Sequence, residues 1–247
     1  MTEQSSIENT AKKIIIALDV SNGEKALALV KTLPEAQIFK VGLRLFTAEG
    51  PSLLETLTKM GKLIFLDLKL HDIPTTVAGA VESAVVHGAY MITLHASGGR
   101  DMMLRAAEEA ASSSKAHGKK KPLLLAVTVL TSLRPGSLKE IGMDSDIKKQ
   151  VLVLAQLAKD SGLDGIVCSP QELELIKKEF PRDFLVVTPG IRPAWASAND
   201  QKRIMTPSQA LKKGADYIVI GRPIIAAPNP QDSFKKILQE INDRNGL

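Results

Sequence analysis

The chain has 247 residues, 44% apolar, 24% charged and only 4% aromatic, enough for one large core packed from aliphatic side chains. Its formal charge of +5 is scattered, apart from the lysines at 119–121, and no basic stripe is interleaved with aromatics, which argues against nucleic acid. One cysteine, Cys168, excludes an internal disulfide and a cysteine-based zinc site, and the four histidines show no metal-binding spacing.

No apolar run approaches the roughly 20 residues of a membrane span, and the polar first dozen residues do not resemble a signal peptide. These features predict a soluble cytoplasmic protein without metal, membrane or nucleic acid as partner.

In chain order, residues 1–12 are a polar lead without a motif. The run I-I-I-A-L-D at 14–19 predicts the first strand, ending on Asp19, and a helix follows over 24–32. Residues 37–41, Q-I-F-K-V, predict a second strand carrying Lys40. The spacing of Leu53, Leu54 and Leu57 predicts one helix over 47–60, closed by Gly61. The third strand opens the stretch L-I-F-L-D-L-K-L-H-D-I-P-T-T-V at 63–77, and a helix follows over 75–87.

Residues 90–95 read as the fourth strand, S-G-G-R at 97–100 as a turn into a helix from about Asp101, and 123–129 as the fifth strand. A helix over 148–161 precedes strand six at 163–169, and another over 170–178 precedes strand seven at 183–188. Strand eight covers 216–221, and the closing helix 231–242. Eight short apolar strands alternating with helices, with no linker between them, predict an α/β chain folded as one (β/α)8 TIM barrel over 1–247. An open doubly wound sheet is the alternative, but no G-x-G-x-x-G follows an early strand.

Chemistry in such a barrel sits at the C-terminal ends of the strands. Asp67 and Lys69, two residues apart on a strand, share a face, so an acid and a base arrive together. An ordinary ion pair has the same spacing, and Asp72 before Pro74 also suits a helix cap. Closure of the barrel adds Asp19 and Lys40, giving an alternating row of acid and base. Packing alone does not gather four such charges, because buried ions cost several kcal/mol each unless paired.

Two later segments suit phosphate. T-P-G-I-R-P at 188–193 leaves strand seven and I-G-R-P at 220–223 leaves strand eight, where barrels commonly bind phosphate through backbone N–H groups and arginine. Arg192, Gly221 and Arg222 are the candidates. Between them, residues 193–206 form a loop long enough to serve as a lid. His71 and His95 adjoin the mouth and are expected to be hydrogen-bonded structural residues, with Cys168 buried and inert.

The segments I-I-A-L-D, F-K-V-G and L-D-L-K-L-H-D together resemble the orotidine 5′-phosphate decarboxylase family, and the likeness extends from residue 14 to about residue 223. The resemblance implies conversion of orotidine 5′-phosphate to UMP and CO2 in pyrimidine biosynthesis, without cofactor or metal. It assigns catalysis to Lys69, Asp67, Asp72 and Lys40. Substrate contacts fall to Asp19, Lys40, Thr76, Thr131, Arg192, Gln201, Gly221 and Arg222, with Gln201 reaching over from the loop. Asp72 and Thr76 are implied to enter the neighbouring subunit's site, making the active unit a homodimer.

Two other functions are open at this point. A Mg-dependent 3-keto-gulonate-6-phosphate decarboxylase or hexulose-phosphate synthase shares D-x-K-x-x-D but places an acid where Lys40 stands. A non-catalytic phosphosugar-binding barrel would keep the phosphate loops without needing the charged row.

Overall fold

Eight parallel strands close on themselves in sequence order, and β8 completes the circle by pairing with β1. They are β1 (Ile14–Ala17), β2 (Ile38–Gly42), β3 (Leu63–Leu70), β4 (Met91–His95), β5 (Leu123–Val127), β6 (Gly165–Val167), β7 (Leu185–Thr188) and β8 (Tyr217–Ile220). This computed structural model describes residues 8–196 and 205–243. The predicted (β/α)8 barrel is therefore the fold, and the open sheet is not.

Alternation along the strands builds two cores. One set of side chains, including Ile14, Ile16, Phe39, Ile64 and Ile92, faces the surrounding helices and packs against residues such as Leu54, Leu57 and Val81. The other set fills the barrel: Ile15, Ile38, Phe65, Met91, Leu125, Val187 and Val219 form a separate buried cluster. One step of two residues toward the C-terminal end changes the chemistry of this inner face. Lys40 follows Ile38, Asp67 follows Phe65 and Thr93 follows Met91, so a polar layer lies on an apolar one.

A recurrent device sets the strand starts. Asp164, just before β6, accepts the Leu124 backbone N–H at 2.8 Å, and Asp216, just before β8, accepts that of Val186 at 2.7 Å. Each carboxylate satisfies a donor at the beginning of the preceding strand and also takes a lysine, Lys121 or Lys177.

The strands lie where the sequence places them, trimmed by a residue or two at most ends. The helix expected over 47–60 is instead two, Leu43–Glu49 and Ser52–Lys59. Gly50 turns the chain at φ 66° while its N–H closes the first helix on Phe46 O at 2.8 Å, and Pro51 has no N–H with which to continue it. The segment over 170–178 is a 3-10 turn, Pro170–Glu172, running into the helix Leu173–Glu179.

Three helices are additional to the sequence expectation. Pro135–Glu140 buries Leu138, Pro207–Lys212 starts with a capping box in which Thr206 and Gln209 satisfy each other's backbone N–H, and the short Arg222–Ile225 follows β8 and buries Ile224. The first two begin with proline at a position where no backbone donor is needed.

Candidate active site

β1, β2 and β3 deliver the four predicted charges to one mouth of the barrel. Lys40 Nζ lies 3.2 Å from Asp19 Oδ1 and 3.5 Å from Asp67 Oδ2, and Lys69 Nζ lies 2.9 Å from Asp67 Oδ1. The order Asp19–Lys40–Asp67–Lys69 is thus continuous. Its middle is sheltered, with Lys40 and Asp67 side chains 12% and 13% exposed, whereas Asp19 at the open end is 59% exposed.

Burial works to raise the Asp67 carboxyl. Lys40 and Lys69, together with hydrogen bonds from Lys69 and Thr93, outweigh it and hold the group below its ordinary range. Asp67 consequently carries its charge throughout the neutral range. Gly42 keeps this row in place, since a Cβ there would stand 2.9 Å from Lys40 Nζ and displace the ammonium.

Lys69 is reached by an irregular path. β3 pairs with β4 at Leu66↔Ile92 and again at Leu70↔Leu94, so the register shifts between these points. Lys69 takes φ 54°, the only described residue other than glycine in the left-handed region. Its backbone N–H turns to the Thr93 hydroxyl at 2.9 Å, and that hydroxyl donates to Asp67 Oδ1 at 3.0 Å. Thr93 was not among the sequence candidates. The available signal was its parity with Met91 on β4, which places it on the inner face.

Opposite the row is an apolar wall. A cavity of about 200 Å³ is bounded by Lys40, Asp67 and Lys69 on one side and by Val127, Val167 and Val219 on the other, with Thr131 at its edge. Cys168 also borders the cavity but is buried, and burial pushes its thiol upward, away from the reactive thiolate.

The arginines line a different cavity, which shares no lining residue with this one. Arg192, itself buried, and Arg222 line a larger cavity of about 580 Å³ with Trp195, Asn229 and Lys236. Gly221, at the end of β8, is close to β1: a Cβ on it would lie 3.5 Å from Asp19 Oδ2. The stems of the loop expected over 193–206 are tied together, for Arg192 N–H donates to Met205 O at 3.0 Å. Gln201 lies outside the described residues.

Glu240, on the closing helix Pro230–Asn242, is a second residue that sequence reading missed. Burial raises its carboxyl, while the backbone N–H groups of Ser208, in the first turn of the helix Pro207–Lys212, and of Ala194, on the first stem of the loop, counter that effect.

Two predicted residues do not join the row. Asp72 is exposed, with Oδ1 accepting the Ile73 N–H at 2.7 Å, and Thr76 is exposed on the first turn of the helix Pro74–Val86. His71 and His95 pack ring against ring with centroids 5.5 Å apart. Burial, then the neighbouring His71 and Lys69, push His95 below the ordinary imidazole value, favouring a neutral ring. Among the described residues no group of three or more His, Cys, Asp or Glu side chains is placed to hold a metal ion, and no described helix is long and apolar enough to cross a membrane.

The fold agrees with comparisons to known proteins. A family model described as "Orotidine 5'-phosphate decarboxylase / HUMPS family" matches residues 12–237. An orotidine 5′-phosphate decarboxylase of Nostoc sp. is 50% identical over 231 residues, spanning 93% of this chain and 97% of the relative. One from Nitrosococcus oceani is also 50% identical, over 94% and 98% of the two chains. Among solved structures, the orotidine 5′-phosphate decarboxylase of Lactobacillus acidophilus superposes with a TM-score of 0.83 at 39% identity, over 93% and 98% of the respective chains. The protein described here belongs to the orotidine 5′-phosphate decarboxylase / HUMPS family.

Proposed function

We propose that this chain decarboxylates orotidine 5′-phosphate to UMP and CO2 in pyrimidine biosynthesis, as a soluble cytoplasmic enzyme that needs neither metal nor organic cofactor. The observation that carries this reading is the continuous Asp19–Lys40–Asp67–Lys69 row, set against an apolar wall, with two arginines after β7 and β8 lining a second cavity.

Breaking the bond between C6 and the carboxylate leaves the electron pair in an in-plane orbital that the ring cannot delocalise. Enzymes lower barriers by roughly 8–23 kcal/mol, and this reaction asks for the upper part of that range. Lys69 places an ammonium beside C6, stabilises the developing negative charge and then supplies the proton that C6 takes up. A unit charge about 4 Å away contributes on the order of 4 kcal/mol at an effective dielectric near 20. The rest must come from elsewhere in the site.

Asp67 holds Lys69 in place and, being ionised, opposes the substrate carboxylate until CO2 leaves. Lys40 and Asp19 fix the row and bind the ribose hydroxyls, while Thr131 binds the pyrimidine. Phosphate is gripped by Arg192, Gln201, Gly221 and Arg222, and that remote binding energy is expressed in the transition state.

The ammonium of Lys40 stands between two carboxylates, in a position where a divalent cation would be repelled. This supports the metal-free decarboxylase over a Mg-dependent sugar-phosphate enzyme, and a phosphosugar-binding barrel would have no use for the row. Absorbance of orotidine 5′-phosphate mixed with purified protein in excess EDTA is the decisive measurement. Conversion supports the reading, whereas binding without conversion, or activity abolished by EDTA and restored by Mg²⁺, sinks it.

The active unit in this reading is a homodimer in which Asp72 and Thr76 complete the partner's site. Their exposure in the single chain, next to an Ile73 that is 64% exposed, suits such an interface. Mixing an inactive Lys69→Ala chain with an inactive Asp72→Ala chain should restore part of the activity. Confirmed heterodimers that stay inactive would rule out shared sites.

A further inference from the structure

We infer that Thr93 is a positioning residue for the reaction, its hydroxyl fixing both the backbone of Lys69 and the carboxylate of Asp67. The inference rests on the decarboxylase reading above and adds a residue to its machinery.

Lys69 lies where the β3–β4 ladder is out of register, so its N–H has lost the regular strand partner it would meet on β4. A lysine at φ 54° is strained, and such conformations persist only where the surroundings impose them. Thr93 supplies that imposition. Its side chain is fully buried at the level of the row, and Oγ1 accepts the Lys69 N–H at 2.9 Å.

Chemistry then dictates the direction of the second bond. A backbone N–H can only donate, so the Thr93 hydroxyl proton is left for Asp67 Oδ1, 3.0 Å away. Asp67 Oδ1 is also the oxygen that Lys69 Nζ contacts at 2.9 Å. One hydroxyl thus links the start of the Lys69 residue to the atom that receives its far end. The small ring of contacts closes through Lys69 backbone, Thr93 Oγ1, Asp67 Oδ1 and Lys69 Nζ.

The consequence is geometric. The ammonium is held at a set distance from Asp67, and the flexible four-carbon stem is anchored at both ends before substrate arrives. Loss of the hydroxyl frees both anchors at once, although Lys40 still pairs with Asp67 and the barrel beneath keeps its apolar contacts. Such pre-set placement matters because small misplacements of reacting groups cost large factors in rate.

Thr93→Val keeps the shape and removes the hydroxyl. Steady-state kinetics of the purified variant should show kcat lower by roughly 10- to 100-fold, with KM for orotidine 5′-phosphate within about 3-fold of the parent. Thr93→Ser, which restores the oxygen, should return kcat to within about 3-fold of the parent. A Thr93→Val kcat within about 2-fold of the parent, or a Thr93→Ser enzyme as impaired as Thr93→Val, would overturn the assignment.

Should Thr93→Val not fold, Thr93→Cys against Thr93→Ser makes the same comparison of sulfur with oxygen, and equal kcat for that pair counts against the assignment. Amide hydrogen exchange at Lys69 gives a readout independent of turnover. Exchange should accelerate by about 10-fold or more in Thr93→Val while the rest of the barrel keeps its protection, and unchanged exchange would refute the anchoring. A parent that leaves orotidine 5′-phosphate unconverted, with Lys69 exchange still accelerated in Thr93→Val, overturns the reaction and leaves the anchoring intact.

Discussion

Two layers of the barrel interior, separated by one strand repeat, divide stability from reactivity. The lower layer, with Ile38, Phe65, Met91 and Leu125, is wholly apolar and buried. The layer immediately above, from the same strands, contains Lys40, Asp67 and Thr93, with Lys69 within the register shift. Burying the first is favourable through removal of apolar surface from water, while burying the second is tolerated only because each charge finds an opposite neighbour. The lower layer can therefore be altered at a cost in folding, and the upper layer at a cost in chemistry.

The largest separation of the two should come from Lys69→Ala. Turnover should fall at least about 10⁴-fold, since a charge and a proton donor are lost together. The melting temperature should move little, because Asp67 retains Lys40 and Thr93 as partners. A loss below 10-fold in a single-turnover assay would mean that the reaction is centred elsewhere.

Leu125→Ala makes the reverse change. It should cost roughly 2–5 kcal/mol in urea unfolding, the range for truncating a fully buried leucine. Substrate KM should stay near that of the parent. A large KM change with intact stability would show that the layers are not separable.

The smallest effect is on pH dependence. Asp67 has a carboxyl held lower in the folded chain than in the unfolded one, so its contribution is present above the unfolded value and lost as pH falls through the folded value. Compared with Asp67→Asn, the parent should therefore lose extra stability only below about pH 4, near the ordinary carboxylate value. Acid titrations of unfolding free energy for the two chains check this. Parallel curves down to strongly acid pH would remove the electrostatic account of the row.

Much of this division was legible in the amino-acid order. Strands announce themselves through continuous β-branched runs, and a charge that keeps the inward parity of such a run, as Lys40 does with Ile38, has few explanations other than a site. Thr93 was hidden because threonine is an ordinary strand residue, and its role depends on a register shift in the neighbouring strand. The division of the helix over 47–60 was obscured for a different reason: the leucine spacing described its second half correctly, while Gly50–Pro51 carried the interruption. Asp72 and Thr76 were named through family resemblance alone.

The alternation of acid and base in the row has one more consequence. Two carboxylates and two ammonium groups cancel, so the row contributes nothing to the formal charge of +5. Seen by an anion farther off than a Debye length of about 8 Å, the row is close to electrically silent. Long-range attraction of a phosphorylated metabolite must then originate outside the row, and the field that collects the molecule is physically distinct from the one that transforms it.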